Sequence, residues 1–142
     1  MSSDTSPAIE PVRIQAARSY QKDRDSDAIR PYPAFHGGKG VIGFKKFFGT
    51  GAASSPALLL LYSIPPGASE GIHTHRSGDP VEGSFDEFYY VIEGRGEMQI
   101  DGETLPIEAG DHVFTPNGTA HGIENTASDG VLKVYVVAMK RE

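Results

Sequence analysis

The sequence predicts an all-β protein, an antiparallel jelly roll of about nine short strands, on three observations. Short runs rich in β-branched and aromatic residues recur from residue 41 almost to the end of the 142-residue chain. The 17 glycines and 10 prolines are dispersed between these runs, as tight turns require, and are not clustered. The body of the chain has no stretch with a convincing helical period. An open sandwich of the immunoglobulin type is the alternative.

The predicted strands follow one another along the chain. Residues 41–49 form the first, and the run 56–64 is apolar on both faces, so it should be buried on both. Residues 70–76 and the aromatic run 87–94 come next. Asp101 and Gly102 should join two further strands as a two-residue hairpin, because both residues tolerate positive φ. The last three strands are HVFTP, TAHGIEN and VLKVYVVAM.

The start of the chain differs from the rest in composition. Residues 1–30 are polar and mixed in charge, which predicts an N-terminal arm, partly disordered, with a short helix near IQAARSYQ. Strand exchange between this arm and a neighbouring subunit is a further hypothesis. Residues 31–142 are then expected to form one β-barrel domain, because a chain of this length suits a single hydrophobic core.

Charge and composition argue against several classes of protein. The formal net charge is −6 and the longest basic cluster is Lys45–Lys46, so we expect no nucleic-acid partner. No apolar run is long enough to cross a bilayer, and the N-terminus lacks the apolar core of a signal peptide. The absence of cysteine excludes disulfides and thiolate metal sites, and it favours a cytoplasmic location.

Two histidines stand one residue apart in the stretch GIHTHRSGDP. On a strand, residues i and i+2 share a face, so His73 and His75 would project into the same volume. Taken alone, this spacing also fits two surface histidines on an exposed strand.

A carboxylate and a third histidine join them. Glu87 shares its strand face with Tyr89 and Val91, where an unpaired carboxylate would cost several kcal/mol. Its position therefore calls for a cation or a strong donor. His121 begins another predicted strand, with Ile123 on the same side. Three imidazoles and one carboxylate at inward-facing positions are suitable ligands for a divalent transition metal.

These residues fall into two spaced motifs. The first consists of Gly71, His73, His75, Glu87 and Gly94, and the second of Gly110, Pro116, Gly118, His121 and Asn125. In both, the chain resembles the cupins, the metal-binding jelly-roll superfamily. The spacings of the second motif are all kept, which makes the match specific. The resemblance implies a cupin-type jelly-roll barrel in which His73, His75, Glu87 and His121 bind one metal ion.

The first motif departs from the family pattern. Eleven residues, RSGDPVEGSFD, separate His75 from Glu87, where the family usually has only a few. Glu82 and Asp86 are therefore rival carboxylates, although the distance from Glu87 to Gly94 fits and favours Glu87. Gly67 is an alternative for the motif glycine. We expect the insertion 76–86 to form a lid or rim that contributes to ligand choice.

Three further side chains are candidates. Tyr89 is either a hydrogen-bond donor to a bound ligand or simply part of the barrel filling. His36 follows Phe35 and precedes Gly37–Gly38, which would let the backbone bring it over the barrel mouth; otherwise it is a solvated loop residue. We take Tyr89 and His36 as the catalytic candidates. His112 is expected at the surface or at a subunit contact.

The resemblance implies a metal-dependent enzyme acting on a small molecule. An Fe(II)-dependent oxygenase is the favoured hypothesis. Mn(II), Zn(II) and Ni(II) are the other candidate metals. An isomerase, cyclase or lyase, and a small-molecule-binding cupin without turnover, are the alternatives. A homodimer is expected, because the runs ALLLLYSI and FKKFF carry more apolar surface than one small barrel buries.

Overall fold

A computed structural model describes residues 20–49, 57–80 and 82–141 of the chain. Within these ranges the protein is all-β apart from one 3₁₀ turn at Phe35–Gly37. The strands are β1 (Arg30–Pro33), β2 (Val41–Lys46), β3 (Ala57–Ile64), β4 (Ser69–His73), β5 (Phe85–Glu93), β6 (Arg95–Ile100), β7 (Glu103–Glu108), β8 (His112–Thr115), β9 (His121–Glu124) and β10 (Leu132–Lys140). The predicted all-β class is confirmed.

The strands form two sheets in which every pairing is antiparallel. The larger sheet has the order β1-β2-β3-β10-β5-β8, and the smaller has the order β4-β9-β6-β7. Both sheets contribute to one core, because alternate residues on each strand point to the same face. The core residues of the larger sheet include Ile42, Tyr62 and Val136, and those of the smaller include Met98 and Ile123.

The hairpin between β6 and β7 has the predicted turn. Asp101 and Gly102 have φ angles of 49° and 85°, the two positive values that this kind of turn requires. The predicted strand 41–49 is shorter than expected and ends at Lys46. Strand β1 was not predicted, because Pro31 and Pro33 break the pattern. Proline is tolerated here since β1 lies at the edge of the sheet.

The described part of the predicted arm lies against β2. Lys45 is only 2% exposed, and its ammonium donates a 2.8 Å hydrogen bond to the Asp23 carboxylate. The same carboxylate accepts a hydrogen bond of 2.7 Å from the main-chain N–H of Phe48. Residues 1–19 lie outside the described ranges, as does the helix expected near residues 14–21 except for its last two positions.

A search of the described residues for membrane-crossing helices found none of sufficient length and apolar character.

Candidate metal centre

Four side chains from three strands and one loop converge between the two sheets. They are the predicted ligands His73, His75, Glu87 and His121, and one ligand atom from each lies within 4.8 Å of the others. All four residues are buried, with exposures between 1% and 7%. The structure therefore brings together residues that are separated by up to 48 positions in the chain.

Strand pairing explains how these residues meet. His73 ends β4 and lies directly opposite His121 at the start of the neighbouring strand β9. Glu87 comes from the other sheet, where β5 pairs it with Thr115 on β8 and Ala138 on β10. The group thus bridges the two sheets. Rigid strands on facing sides can hold ligand atoms at fixed positions with little loss of entropy.

His75 lies on a loop, whereas the sequence predicted a strand at this position. Strand β4 ends at His73, so His75 lies in the following loop and not on the same strand. The two rings still occupy one volume, with centroids 4.8 Å apart and planes at 86°. The prediction that both histidines share a regular strand face was therefore wrong, although the expected proximity is present.

Each histidine ring is oriented by a main-chain carbonyl. The Nδ1 atoms of His73 and His121 lie 2.9 Å from the oxygens of Gly71 and Thr119. His75 Nδ1 lies 2.5 Å from the Glu82 oxygen. Because a carbonyl only accepts, the three Nδ1 atoms carry the hydrogen and Nε2 is left for the shared volume. Metal-binding histidines in proteins are oriented in the same way.

The contacts of the Nε2 atoms differ among the three histidines. His121 Nε2 lies 2.8 Å from Glu87 Oε1, a contact that requires a hydrogen on one of the two atoms when no cation lies between them. His75 Nε2 lies 3.3 Å from the same oxygen without acceptable hydrogen-bond geometry, and His73 Nε2 has no hydrogen-bond partner. A buried polar atom without a partner costs about 1–3 kcal/mol. A divalent cation would satisfy both nitrogens, so the residues present fit a metal.

The electrostatics are consistent with this fit. Burial lowers the pKa of His73 to about 3, so its ring is neutral at physiological pH. Burial alone would raise the pKa of Glu87, but the close contacts with the His121 and His75 rings outweigh it and lower the pKa below its usual range. Burial would lower the pKa of His75, and the neighbouring Glu87 raises it overall. A neutral imidazole and an ionised carboxylate are the forms in which these residues bind metals.

The rival carboxylates do not enter this group of four. Asp86 accepts hydrogen bonds from the Asn117 N–H at 2.8 Å and the Arg141 guanidinium at 3.1 Å, on the opposite face of β5. Glu82 contacts the ring of His36 instead. The structure thus places Glu87 among the histidines, as the sequence favoured.

His36 lies beside the group, on the ring of His73. The two rings are stacked, with centroids 3.7 Å apart and planes at 10°. His36 Nδ1 is 2.9 Å from Glu82 Oε1. The approach depends on small residues, because a Cβ on Gly71 would overlap the His36 carbonyl oxygen. The backbone thus brings His36 to the position that the Gly37–Gly38 pair suggested.

Tyr89 is buried and contacts the carboxylate of the group. Its hydroxyl lies 3.3 Å from Glu87 Oε1 and 3.3 Å from Glu70 Oε1. The hydroxyl can therefore orient either carboxyl group.

Glu70 adjoins the group of four, although the sequence did not suggest it. It is 2% exposed, and the hydroxyls of Tyr62 and Tyr89 lie 3.4 and 3.3 Å from its oxygens. Burial, and secondarily the charge of Glu87, raises the pKa of Glu70 well above its usual value. Strand parity relative to His73 pointed Glu70 outward, but the β4–β9 register shifts between the two residues. Gly71 within the strand is the signal that indicates such a bulge.

Two other predicted positions lie away from the centre. His112 is exposed and stacks on Tyr90, with ring centroids 4.4 Å apart. Asn125 donates hydrogen bonds to the carbonyls of Ile64 and Gly130 at 2.8 and 2.9 Å, and so connects the two sheets to the last turn.

Comparisons with known proteins identify the family of the chain. A family model described as a cupin domain matches residues 60–138. The chain is 39% identical over 104 residues to an oxalate-binding protein of Thermotoga maritima, and the match covers 72% of this chain and 80% of that protein.

Solved structures show the same fold. A predicted oxalate decarboxylase from Thermotoga maritima superposes with a TM-score of 0.71 at 32% identity, covering 83% of this chain and 97% of that one. The polyketide cyclase RemF from Streptomyces resistomycificus superposes with a TM-score of 0.66 at 20% identity, covering 86% and 81%. The second likeness concerns the fold alone.

Proposed function

Because this chain belongs to the cupin family, we propose that it holds one divalent transition metal and binds a short carboxylic acid beside it. The proposed ligands are His73, His75, Glu87 and His121. One observation carries the proposal: two buried Nε2 atoms without partners lie beside an ionised carboxylate. When bound, a divalent metal would supply a Lewis acid that polarises an oxygen of the ligand.

The class of ligand is supported by the relatives. The protein that is 39% identical over most of its length is named for binding oxalate. Oxalate presents two adjacent oxygens, the kind of donor that hard and borderline cations accept. A short carboxylic acid also suits a small centre enclosed between two sheets.

The surrounding residues prepare the centre without the metal. Main-chain carbonyls fix the three histidine rings, and the Tyr89 hydroxyl lies 3.3 Å from the Glu87 carboxylate. The Phe85 ring stands edge-on to His75 with centroids 5.4 Å apart, and it helps to exclude water from that side. Such preorganisation lowers the cost of ordering the site when a ligand binds.

The proposed centre is compatible with ligand binding without turnover and with catalysis of a reaction. A decarboxylase is the second candidate, because the 32% identical neighbour is described as a predicted oxalate decarboxylase. The Fe(II)-dependent oxygenase expected from the sequence stays a prediction, as do the catalytic roles of Tyr89 and His36. A cytoplasmic location likewise stays a prediction.

Calorimetry on one protein preparation tests the proposal. The metal-free chain is titrated with Zn(II), Mn(II) or, without air, Fe(II), and each loaded form is then titrated with oxalate. We expect one metal per chain and oxalate binding only to the loaded forms. Carbon dioxide release and oxygen uptake are measured on the same samples to distinguish a decarboxylase, an oxygenase and a binding protein. Oxalate binding that is equally strong without metal would contradict the proposal.

A further inference from the structure

A second group of side chains adjoins the metal centre and has no task in the proposed function. It consists of His36, Glu70 and Glu82. We propose that this group favours ligands that carry an O–H donor next to the metal-binding carboxylate, as α-hydroxy carboxylic acids do. Glu82 is the positioning residue that turns His36 toward such a ligand. The inference rests on the proposed metal-held carboxylic acid and narrows its class.

The contact between Glu82 and His36 fixes which nitrogen faces the cavity. His36 Nδ1 lies 2.9 Å from Glu82 Oε1. An ionised carboxylate only accepts hydrogen bonds, so Nδ1 carries the hydrogen and Nε2 offers its lone pair. Both side chains are about a quarter exposed or less, at 21% for His36 and 26% for Glu82. The pair therefore stands at the boundary between solvent and the buried centre.

The position of His36 directs that lone pair to the metal centre. The ring lies flat on His73, 3.7 Å away, and Nε2 is 3.6 Å from Glu70 Oε2. The same oxygen of Glu70 lies 3.7 Å from His73 Nε2, which is a proposed metal ligand. His36 Nε2 is therefore an acceptor atom beside the place where a metal-held ligand would lie, and the buried Glu70 carboxyl lies next to it.

The backbone holds this arrangement in place. Ala34 and His36 have φ angles of 50° and 49°, in the left-handed region that residues other than glycine seldom adopt. Gly38 fits against the Ser69 carbonyl oxygen, where a Cβ would overlap it, and Gly71 fits against that of His36 in the same way. The 3₁₀ turn is thus packed directly on β4, the strand that carries His73.

Positive charge is missing from this side of the centre. Within the described ranges, Glu70, Glu82 and Glu87 form ion pairs with histidines and with no lysine or arginine. The hydroxyls of Tyr62 and Tyr89 are both directed at Glu70. A fully ionised dicarboxylate would bring a second carboxylate to the His36 Nε2 lone pair, whereas the hydroxyl of an α-hydroxy acid would donate to it.

Glu82 acts through two separable groups. Its main-chain carbonyl accepts from His75 Nδ1, and its carboxylate accepts from His36 Nδ1. Substitution of the side chain removes the second contact and keeps the first. The effect on ligand choice can therefore be measured without removing the contact that orients a proposed metal ligand.

The experiment compares glycolate with oxalate on the Zn(II)-loaded protein by calorimetry. Glu82→Ala should weaken glycolate binding at least fivefold and change oxalate binding less than twofold. Glu82→Gln should resemble the wild type, because its amide oxygen can still accept from His36 Nδ1. The control Glu103→Gln replaces an exposed glutamate on β7 and should change neither. The Zn(II) affinity should stay within twofold in all three variants.

A second variant and a spectroscopic measurement distinguish the proposed role of Glu82 from misfolding of the Glu82→Ala variant. His36→Asn keeps a residue that tolerates the left-handed backbone and removes Nε2, so it should reproduce the selective loss of glycolate. Nitrogen-15 NMR of the wild type should show His36 with the hydrogen on Nδ1. Glu82→Ala should convert it to a mixture of the two tautomers, while Glu82→Gln should not.

The outcomes separate the two proposals. Equal weakening of glycolate and oxalate by Glu82→Ala, weakening of neither, or His36 with its hydrogen on Nε2 in the wild type would overturn the inference. If the wild type binds Zn(II) but neither acid, the proposed function fails and the ligand preference fails with it. In that case the tautomer measurement still shows whether Glu82 positions His36.

Discussion

The three proposed histidine ligands share one local arrangement. In each, Nδ1 donates to a main-chain carbonyl, but the carbonyls come from different places. Those that hold His73 and His121 lie two residues earlier in the chain. The one that holds His75 belongs to Glu82, inside the insertion 76–86. The insertion therefore supports a ligand from outside the centre and does not replace Glu87.

At His75, a proton should compete with the metal for the imidazole nitrogen. Its pKa is raised because Glu87 stabilises the imidazolium more than burial destabilises it. A metal must displace that proton, so affinity should fall about tenfold per pH unit below the raised pKa and level off above it. Zn(II) affinity measured against a chromophoric chelator from about pH 6 to 8 covers the range in which a histidine titrates. An affinity independent of pH across this range would contradict the prediction.

The residues of the centre could be anticipated from the sequence to different degrees. His73, His75, Glu87 and His121 were found because residue type and motif spacing survive in the sequence itself. Glu70 was missed because a register shift in β4 reverses the alternation on which the assignment of faces depends. The contact between Glu82 and His36 was missed because it joins a loop to a 3₁₀ turn, and no periodicity describes such a pair.

At the scale of the elements, one ion pair joins β2 to the segment before β1. Lys45 and Asp23 have side chains that are 3% and 16% exposed, with 2.8 Å between their charged atoms. Asp23→Asn would leave a buried ammonium without its counter-ion and should lower the free energy of unfolding by about 2 kcal/mol at pH 7. Urea denaturation measures this change, and Asp25→Asn, at an exposed site nearby, is the matched control.

The difference in unfolding free energy between the wild type and Asp23→Asn should decrease at low pH. Burial alone would raise the pKa of Asp23, but hydrogen bonds from Lys45, Phe48 and Arg24 outweigh it, so the pKa lies below the usual value for an aspartate. The ionised form is thus favoured by folding, and its contribution is complete above the unfolded pKa. The gap between wild type and Asp23→Asn should therefore close as the pH falls through the folded pKa. Equal stability of the two proteins at pH 7 would refute the role of the pair.

The elements themselves were predicted better where a strand is a continuous apolar run or a turn has a signature. The strand predicted at residues 56–64 is observed as Ala57–Ile64, with residue 56 outside the described ranges, and the Asp101–Gly102 turn has the expected positive φ angles. Strand β1 escaped detection because two of its four residues are prolines. Its stability comes from pairing with β2, a tertiary contact that a local pattern does not contain.

At the scale of the whole molecule, the described residues of β5 and β8 form an outer face with exposed apolar side chains. The outer face of β5 and β8 carries two cross-strand ring pairs, Phe88 with Phe114 and Tyr90 with His112, at centroid distances of 4.7 and 4.4 Å. Phe88 and Phe114 are 47% and 51% exposed. The runs that suggested a dimer are instead covered within the chain, since Leu60 and Leu61 are at most 5% exposed and Phe47 packs on Tyr135.

The homodimer stays a prediction, now assigned to this outer face. Its exposed side chains, which also include Ile92 and Met139, present about 400 Å² of apolar surface, about half of what one partner buries in a standard interface. Light scattering should report twice 15.2 kDa for the wild type. Phe114→Lys should give monomers, whereas Ile72→Lys, at an exposed site on the other sheet, should not. A monomeric wild type would show that this face has no self-association role.

The measurement that tests the metal centre most directly is the metal content of His121→Ala. His121 is 1% exposed and contacts Glu87, so its removal takes one of four proposed ligands without affecting the surface. Equilibrium dialysis against Zn(II), with His112→Ala as the control, should give one equivalent for the wild type and the control. His121→Ala should bind at least a hundredfold more weakly. A full equivalent held by His121→Ala with wild-type affinity would contradict the proposed centre.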